Sequence, residues 1–275
     1  MFRQFDIEMD YDRLKKMVYK TPALNYFICM AFEASLSVYK TILISEDESG
    51  EIILGVFHRK SGNLQIALNP DYDFEADTNK VLFTSLRSYL TQMDYKTLII
   101  PKTLFMKIEK GIPYRQARTG AEIEKLVRRE PYALSRLKGG AKGCVPLEEI
   151  RCEKLEADDL NQVEALYKLV FKGHPSEDYM RTKLDMKRGR AYGIWIDGKL
   201  VSVAQTDFFD EVIVGVATLP DYQGCGFSRF CLQTLINSIL PEPYVFYLQV
   251  ENPIAINLYH TLGFERVDQI LHVTN

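Results

Sequence analysis

From residue 150 onward the apolar positions of the chain change period several times, and each change marks an element. Ile150–Leu155 alternates as a short strand, and within Ala157–Phe171 the residues Leu160, Val163, Leu166, Tyr167 and Val170 recur at helical spacing. Ser176–Arg188 reads as a second, more polar helix. Ala191–Ile196 and Leu200–Phe208 alternate as a hairpin around Asp197-Gly198, a two-residue turn signal. The run Val212–Ala217 reads as a strand that continues to Thr218, and a Gly-containing turn then opens an amphipathic helix to about Ile239. Tyr244–Val250 is a further strand. Asn252-Pro253 begins a helix, with Asn as cap and Pro in the first turn, and Leu262-Gly263 ends it. Phe264–Asp268 and Ile270–Thr274 are expected as two closing strands.

The first half repeats this order more weakly. Helical runs at about 10–20 and 22–34 precede strands at 38–45, 51–59 and 63–68. A helix over about 76–93, a strand Thr97–Ile100, a helix over 102–109 and a strand near 122–128 follow. Between the halves, Leu137–Leu147 concentrates Gly and Lys with one Pro and reads as a domain junction. Two domains are therefore expected, 1–140 and 148–275. The similarity is one of element order, without a residue-level repeat.

Composition narrows the function classes. With 275 residues and 47% hydrophobic content the chain can fill real cores. A net charge of −3 gives no global attraction to nucleic acid or anionic lipid, and short basic runs such as Arg115–Arg118 and Lys187–Arg190 read as solvated faces. No run of about 18 apolar residues suggests a membrane span, and the first residues do not read as a secretory signal. The five cysteines (Cys29, Cys144, Cys152, Cys225, Cys231) lack a Cys-x-x-Cys pair, and the four histidines are widely separated. Neither a disulfide framework nor a metal site is expected, and a cytoplasmic location is the default.

The candidate chemistry lies where the strand at 212–218 breaks. A strand that turns through Gly224 and Gly226 into a helix presents unpaired backbone N–H groups and the positive end of a helix dipole at one point. Such a turn suits a pyrophosphate, and the two glycines let the main chain approach it. Ser228 is small enough to leave the first helical turn open. A dinucleotide fingerprint is excluded because Arg229 stands at the third glycine position, and no Gly-Lys-Ser/Thr follows to make a P-loop. The matching position of the first half, Asn69–Asp77, has four acids and no Gly, which would repel a pyrophosphate.

Residues 212–264 resemble the acetyl-CoA-binding core of the GNAT N-acetyltransferase superfamily. Gln223-Gly224-Cys225-Gly226-Phe227-Ser228 matches the family's Arg/Gln-x-x-Gly-x-Gly/Ala loop, with Ser at the last position, and Asn252–Phe264 matches its second signature. The resemblance implies two GNAT-like domains of the α/β (α+β) class, each a mixed, mostly antiparallel central sheet flanked by helices, with the first degenerate. It implies acyl transfer from acetyl-CoA to a primary amine by direct attack. Backbone N–H groups of Val216, Ala217 and Thr218 would bind the pantetheine arm and polarise the thioester carbonyl, and Gln223, Gly224, Cys225, Gly226, Phe227 and Ser228 would hold the pyrophosphate. Asn252, Ala255 and Tyr259, spaced i, i+3 and i+7 on one helix face, would complete the donor site.

Transfer to nitrogen needs a neutral amine and a proton for the leaving thiolate. An amine of pKa near 10.4 is neutral only on the order of 0.1% of the time at pH 7. The resemblance implies Tyr259 as the acid; its other reading is a half-buried aromatic bonding a carbonyl. Among Asp207, Asp210 and Glu211, which flank the start of the strand, Glu211 is the candidate base, with a solvent-facing turn acid as the alternative for each. Asn252 reads equally as a helix cap, and Trp195 as core. Cys225 faces the pyrophosphate end and is not expected to be a nucleophile. A small-molecule or peptide amine is the expected acceptor, with the protein monomeric or homodimeric. The alternative from a different class is a non-catalytic module that binds or senses CoA.

Overall fold

The computed structural model describes residues 2–74, 80–134, 150–172, 176–185, 187–240 and 244–274. The junction expected over 137–147, and the end of the acid-rich stretch at 75–77, lie outside the described residues. By internal contacts the chain forms two compact units. Met1–Glu124, Gln249–Ile256 and Arg266–Asn275 make the first; Lys125–Leu248 and Asn257–Glu265 make the second.

The first unit opens with β1 (Arg3–Gln4), α1 (Ile7–Tyr19), α2 (Tyr26–Ala34), β2 (Tyr39–Glu46), β3 (Ile52–Arg59) and β4 (Asn63–Leu68). Then come α3 (Lys80–Gln92), β5 (Thr97–Pro101), α4 (Lys102–Ile108) and β6 (Gln116–Arg128), whose last residues count with the second unit. Strands β1 to β4 run as an antiparallel meander, and β5 joins β4 in parallel after the α3 crossover. The strand β12 (Glu265–Thr274), from the far end of the chain, pairs antiparallel with β5. Apolar residues of α3, α4, β3, β4 and β5, among them Leu54, Leu64, Leu86, Leu98 and Leu104, close one core. The helix α1 starts at Asp6, whose side chain accepts hydrogen bonds from the Glu8 and Met9 N–H groups.

In the second unit β7 (Cys152–Lys154), α5 (Leu160–Val170), α6 (Glu177–Asp185), β8 (Ala191–Ile196) and β9 (Lys199–Asp207) lead to β10 (Val212–Thr218). After it come α7 (Phe227–Asn237), β11 (Tyr244–Val250) and α8 (Pro253–Thr261), of which Gln249–Ile256 count with the first unit. The order β7-β8-β9-β10 is antiparallel, and β11 joins β10 in parallel. Both units thus carry a mixed, mostly antiparallel sheet with one parallel pair reached through a helix. The β8–β9 turn has Asp197 at φ 49° and Gly198 at φ 72°, the two left-handed residues that a tight hairpin needs. α8 ends in a Schellman cap: the Gly263 N–H bonds the His260 carbonyl at 3.0 Å, and the Phe264 N–H the Tyr259 carbonyl at 3.1 Å. No helix among the described residues is long and apolar enough to cross a membrane.

Two strand expectations change. The closing segment is a single strand, β12, because the polar pair Asp268-Gln269 is held by Thr103 and Lys102 of α4 instead of breaking the ladder. β6 begins at Gln116, well before the first alternating apolar residues. Its early residues are held by tertiary contact: the Arg115 N–H bonds the Thr274 carbonyl at 2.9 Å, and Gly120 lies so close to His272 that a Cβ would sit 2.6 Å from its Nε2.

Candidate active site

β10 leaves its neighbours part-way along. It pairs with β11 at Val212↔Tyr247, and its register with β9 slips between Val214 and Ala217. The slip is a bulge centred on Gly215, which has φ +59°. A Cβ there would lie 2.0 Å from the Tyr167 hydroxyl and 2.9 Å from Gln205 Nε2, so only glycine fits. Tyr167, fully buried on α5, donates its hydroxyl to the Gly215 carbonyl at 2.7 Å and accepts from Gln205 Nε2. Burial pushes this phenol well above its ordinary pKa, so it remains a donor at neutral pH.

Beyond the bulge the strand edge opens. The Leu219 N–H bonds the Val201 carbonyl on β9 at 2.9 Å. By alternation Ala217 also faces β9, while the N–H groups of Val216 and Thr218 turn to the opposite, open edge. The Ala217 carbonyl accepts Ser202 Oγ at 3.2 Å, consistent with that orientation.

The loop that follows keeps its amides free. Gly224 and Gly226 have φ 81° and 87°, and Gly226 caps α7 without any side-chain hydrogen bond. Among the described residues, none of the backbone N–H groups from Gly224 to Arg229 has a hydrogen-bond partner; the ladder resumes with the Phe230 N–H on the Gly226 carbonyl at 3.0 Å. A Cβ at Gly224 would meet nothing within 4 Å. The loop is held from below. Gln223 Nε2 donates to the Thr218 carbonyl at 3.2 Å, and Thr218 Oγ1 lies 2.8 Å from Ser202 Oγ and 2.7 Å from Ser228 Oγ. Ser228 therefore ties the first helical turn to the end of β10. Phe227 is buried and stacks on Tyr222 with ring centroids 6.2 Å apart. Cys225 is buried as well, its thiol directed to the Gln223 carbonyl at 3.9 Å.

On α8, Asn252 is exposed and caps the helix, its Oδ1 accepting the Ile254 N–H at 2.9 Å. Ala255 is half-buried. Asn252 and Ala255 count with the first unit and Tyr259 with the second. The Tyr259 ring is buried at 6% exposure and lies 5.7 Å from that of Phe264. Its hydroxyl makes no hydrogen bond among the described residues. Burial raises its pKa well above the ordinary value, which keeps the proton in place at pH 7.

The three acids at the start of β10 separate clearly. Asp207 is fully buried and paired with Arg188 at 2.9 Å. Asp210 is paired with Arg190 at 2.8 Å and accepts from Thr206 Oγ1. Glu211 is exposed and makes no ion pair among the described residues. Even so, part of its carboxyl is desolvated, and this raises its pKa above the ordinary carboxylate value. Arg188, expected on a solvated basic face, is 2% exposed: the chain leaves α6 at Asp185, so Arg188 turns inward onto Asp207. Lys183 is buried beside it, donating to Gln205 and, at 2.9 Å, to the Thr206 carbonyl; burial lowers its pKa to about 8. Trp195 is half-buried on β8.

Residues that the sequence did not single out, namely Tyr167, Gln205, Ser202 and Gly215, shape the strand and loop. One signal pointed to them, an isolated Gly in the β-branched run Val212–Val216, which marks a bulge. In the first unit the described start of the corresponding stretch, Asn69–Phe74, is tied to its own neighbours. Asn69 Nδ2 donates to the Ile52 carbonyl and Asn69 Oδ1 accepts the Asp71 N–H, both at 3.1 Å, and Lys20 bridges Asp71 and Glu51.

The profile of the Acetyltransferase (GNAT) family matches residues 158–264. The N-acetyltransferase YodP of Bacillus subtilis is 29% identical over 119 residues, which is 39% of this chain and 43% of that protein, less than half its length. Among solved structures, a GNAT-family acetyltransferase from Colwellia psychrerythraea superimposes with a TM-score of 0.65 at 12% identity, covering 100% of this chain and 99% of the other. A tandem GNAT protein from the clavulanic acid biosynthesis pathway gives 0.61 at 12% identity, covering 100% and 98%. At such identities the likeness is one of fold, and it extends over both halves.

Proposed function

We propose, from the premise that residues 158–264 are a domain of the GNAT acetyltransferase family, that the second unit moves an acetyl group from acetyl-CoA to a primary amine. The observation that carries this reading is the row of unpartnered N–H groups from Gly224 to Arg229 at the start of α7. A helix start of this kind carries about half a positive charge and fits a pyrophosphate. The donor supplies an acyl group already activated as a thioester, and everything else falls to the protein.

On this reading the loop holds the pyrophosphate, and the N–H groups of Val216 and Thr218 receive the pantetheine arm and polarise the thioester carbonyl. Glu211 takes a proton from the ammonium acceptor and passes it to solvent; the neutral nitrogen then bonds to the acyl carbon, and Glu211 takes its second proton as the carbon–sulfur bond breaks. Tyr259 gives its proton to the departing thiolate and is reprotonated from solvent, so that ammonium and thioester become amide, thiol and one released proton. Its raised pKa suits that role, because the group must arrive protonated. A thiolate leaves readily on its own, so the acid contributes at most about a hundredfold.

The test is release of free thiol from acetyl-CoA in the presence of spermidine, L-lysine, an aminoglycoside and a peptide with a free N-terminus. The reading expects amine-dependent release, with one acetyl group found on the nitrogen by mass spectrometry. Tyr259→Phe should lower kcat by about ten- to a hundredfold while leaving acetyl-CoA affinity within about twofold. Thermal stabilisation by CoA with no turnover on any amine would instead favour a CoA-sensing module.

A further inference from the structure

The turn between β9 and β10 holds three successive non-glycine residues in the left-handed region: Phe208, Phe209 and Asp210, at φ 49°, 58° and 69°. A non-glycine residue there is strained and persists only where its surroundings over-determine it. Here they do. Asp207 Oδ1 accepts the Phe208 N–H at 2.8 Å and Arg188 Nε at 2.9 Å. The Tyr179 hydroxyl closes the cluster, donating to Asp207 Oδ2 at 2.9 Å and accepting Arg188 Nη2 at 2.7 Å. The Arg188 carbonyl in turn accepts the N–H groups of Phe209 and Asp210. A second tie runs through Thr206, whose hydroxyl donates to Asp210 and accepts the Arg190 N–H at 3.0 Å.

A connection between two antiparallel strands needs none of this; glycines would make the same turn without strain or buried charge. What the strained turn delivers is Glu211. Its N–H bonds the Phe208 carbonyl at 3.2 Å, and its carbonyl accepts the Tyr247 N–H of β11 at 2.8 Å. The residue is thus pinned between the turn and the last rung that β10 shares with β11.

We propose that Tyr179, Arg188 and Asp207 are positioning residues for Glu211, clamping the left-handed turn that aims its carboxylate. The proposal rests on the reading of Glu211 as the general base. The clamp acts by orientation: one partly desolvated carboxylate is held at a fixed place on the strand, while the two neighbouring acids are neutralised by Arg188 and Arg190. Among the described residues, Lys183 donates to the Thr206 carbonyl, and Lys125 lies 5.8 Å from the ring of Tyr247, whose N–H bonds the Glu211 carbonyl.

The experiment compares the full-length protein with Tyr179→Phe, which removes one hydroxyl and no charge. The carboxyl resonance of Glu211 in glutamate-labelled protein, assigned by its loss in Glu211→Gln, is titrated in both. The clamp predicts that the wild-type midpoint lies above the ordinary carboxylate range and that the variant falls back toward about 4.3. kcat on the amine panel should fall tenfold or more, with acetyl-CoA affinity unchanged. A folded Tyr179→Phe protein whose Glu211 midpoint stays where it was overturns the proposal. If Tyr179→Phe does not fold, Thr206→Val, which cuts the second tie without changing charge, carries the same test. Should the wild-type protein neither bind acetyl-CoA nor turn it over, the donor reading fails, while the Glu211 midpoint still decides the clamp.

Discussion

Replacing Glu211 by Gln should lower kcat at pH 7 by on the order of 10²–10³, and the deficit should shrink as pH rises. An unassisted amine is neutral on the order of one part in a thousand at neutral pH, and a positioned base recovers part of that penalty. Each pH unit toward the amine pKa, about 10.4, makes the base less necessary, so the two pH–rate profiles should converge in alkaline solution. The sign on the acid side is equally specific. A base works deprotonated, so the wild-type rate falls as pH drops through the Glu211 pKa. Desolvation raises that pKa, and the fall should begin above the ordinary carboxylate range. Parallel profiles separated by a constant factor would remove Glu211 from proton transfer and leave it a structural role.

Gly215→Ala should destabilise the second unit by roughly 2–5 kcal/mol, the combined cost of a left-handed alanine and an overpacked contact. The new methyl would lie 2.0 Å from the Tyr167 hydroxyl and 2.8 Å from its Cζ. The unfolding midpoint should drop by roughly 10 °C. Because the bulge turns the Val216 and Thr218 N–H groups to the open edge, protein that remains folded should also transfer acetyl groups poorly. A double variant with Tyr167→Phe should recover part of the stability, since it removes the nearest clashing atom but leaves the ring carbon. Scanning calorimetry of the two single variants and the double variant reads this coupling directly. Strict additivity would show that Tyr167 and Gly215 are not engaged as described.

Much of the fold is legible in the sequence because the signals are local. Val212–Thr218, Tyr244–Val250 and Asn63–Leu68 form strands with the expected bounds, and Asp197-Gly198 makes the expected hairpin. Pleat period and left-handed turn residues are properties of a few neighbours, so they survive without tertiary information. Arg188 is the opposite case. Within Lys187–Arg190 it reads as a solvated charge, yet Asp207, close to it only in the folded unit, draws it inside. The same long-range pairing separates three acids that are equivalent in sequence, leaving Glu211 without an ion pair among the described residues. Tyr167 fitted the apolar stripe of α5, and its polar end became meaningful only once β10 was seen to bulge beneath it. Elements are written in neighbours, whereas the engagement of a charge or hydroxyl depends on partners dozens of positions away.

The central claim is that the glycine loop of the second unit, and not its counterpart in the first, receives the donor. Titration of the full-length chain with acetyl-CoA in a calorimeter tests it most directly. One molecule should bind per chain, with binding lost in Gly226→Val, where a β-branched residue cannot hold the left-handed cap. Two equivalent sites per chain, or an affinity indifferent to Gly226→Val in a folded protein, would contradict it.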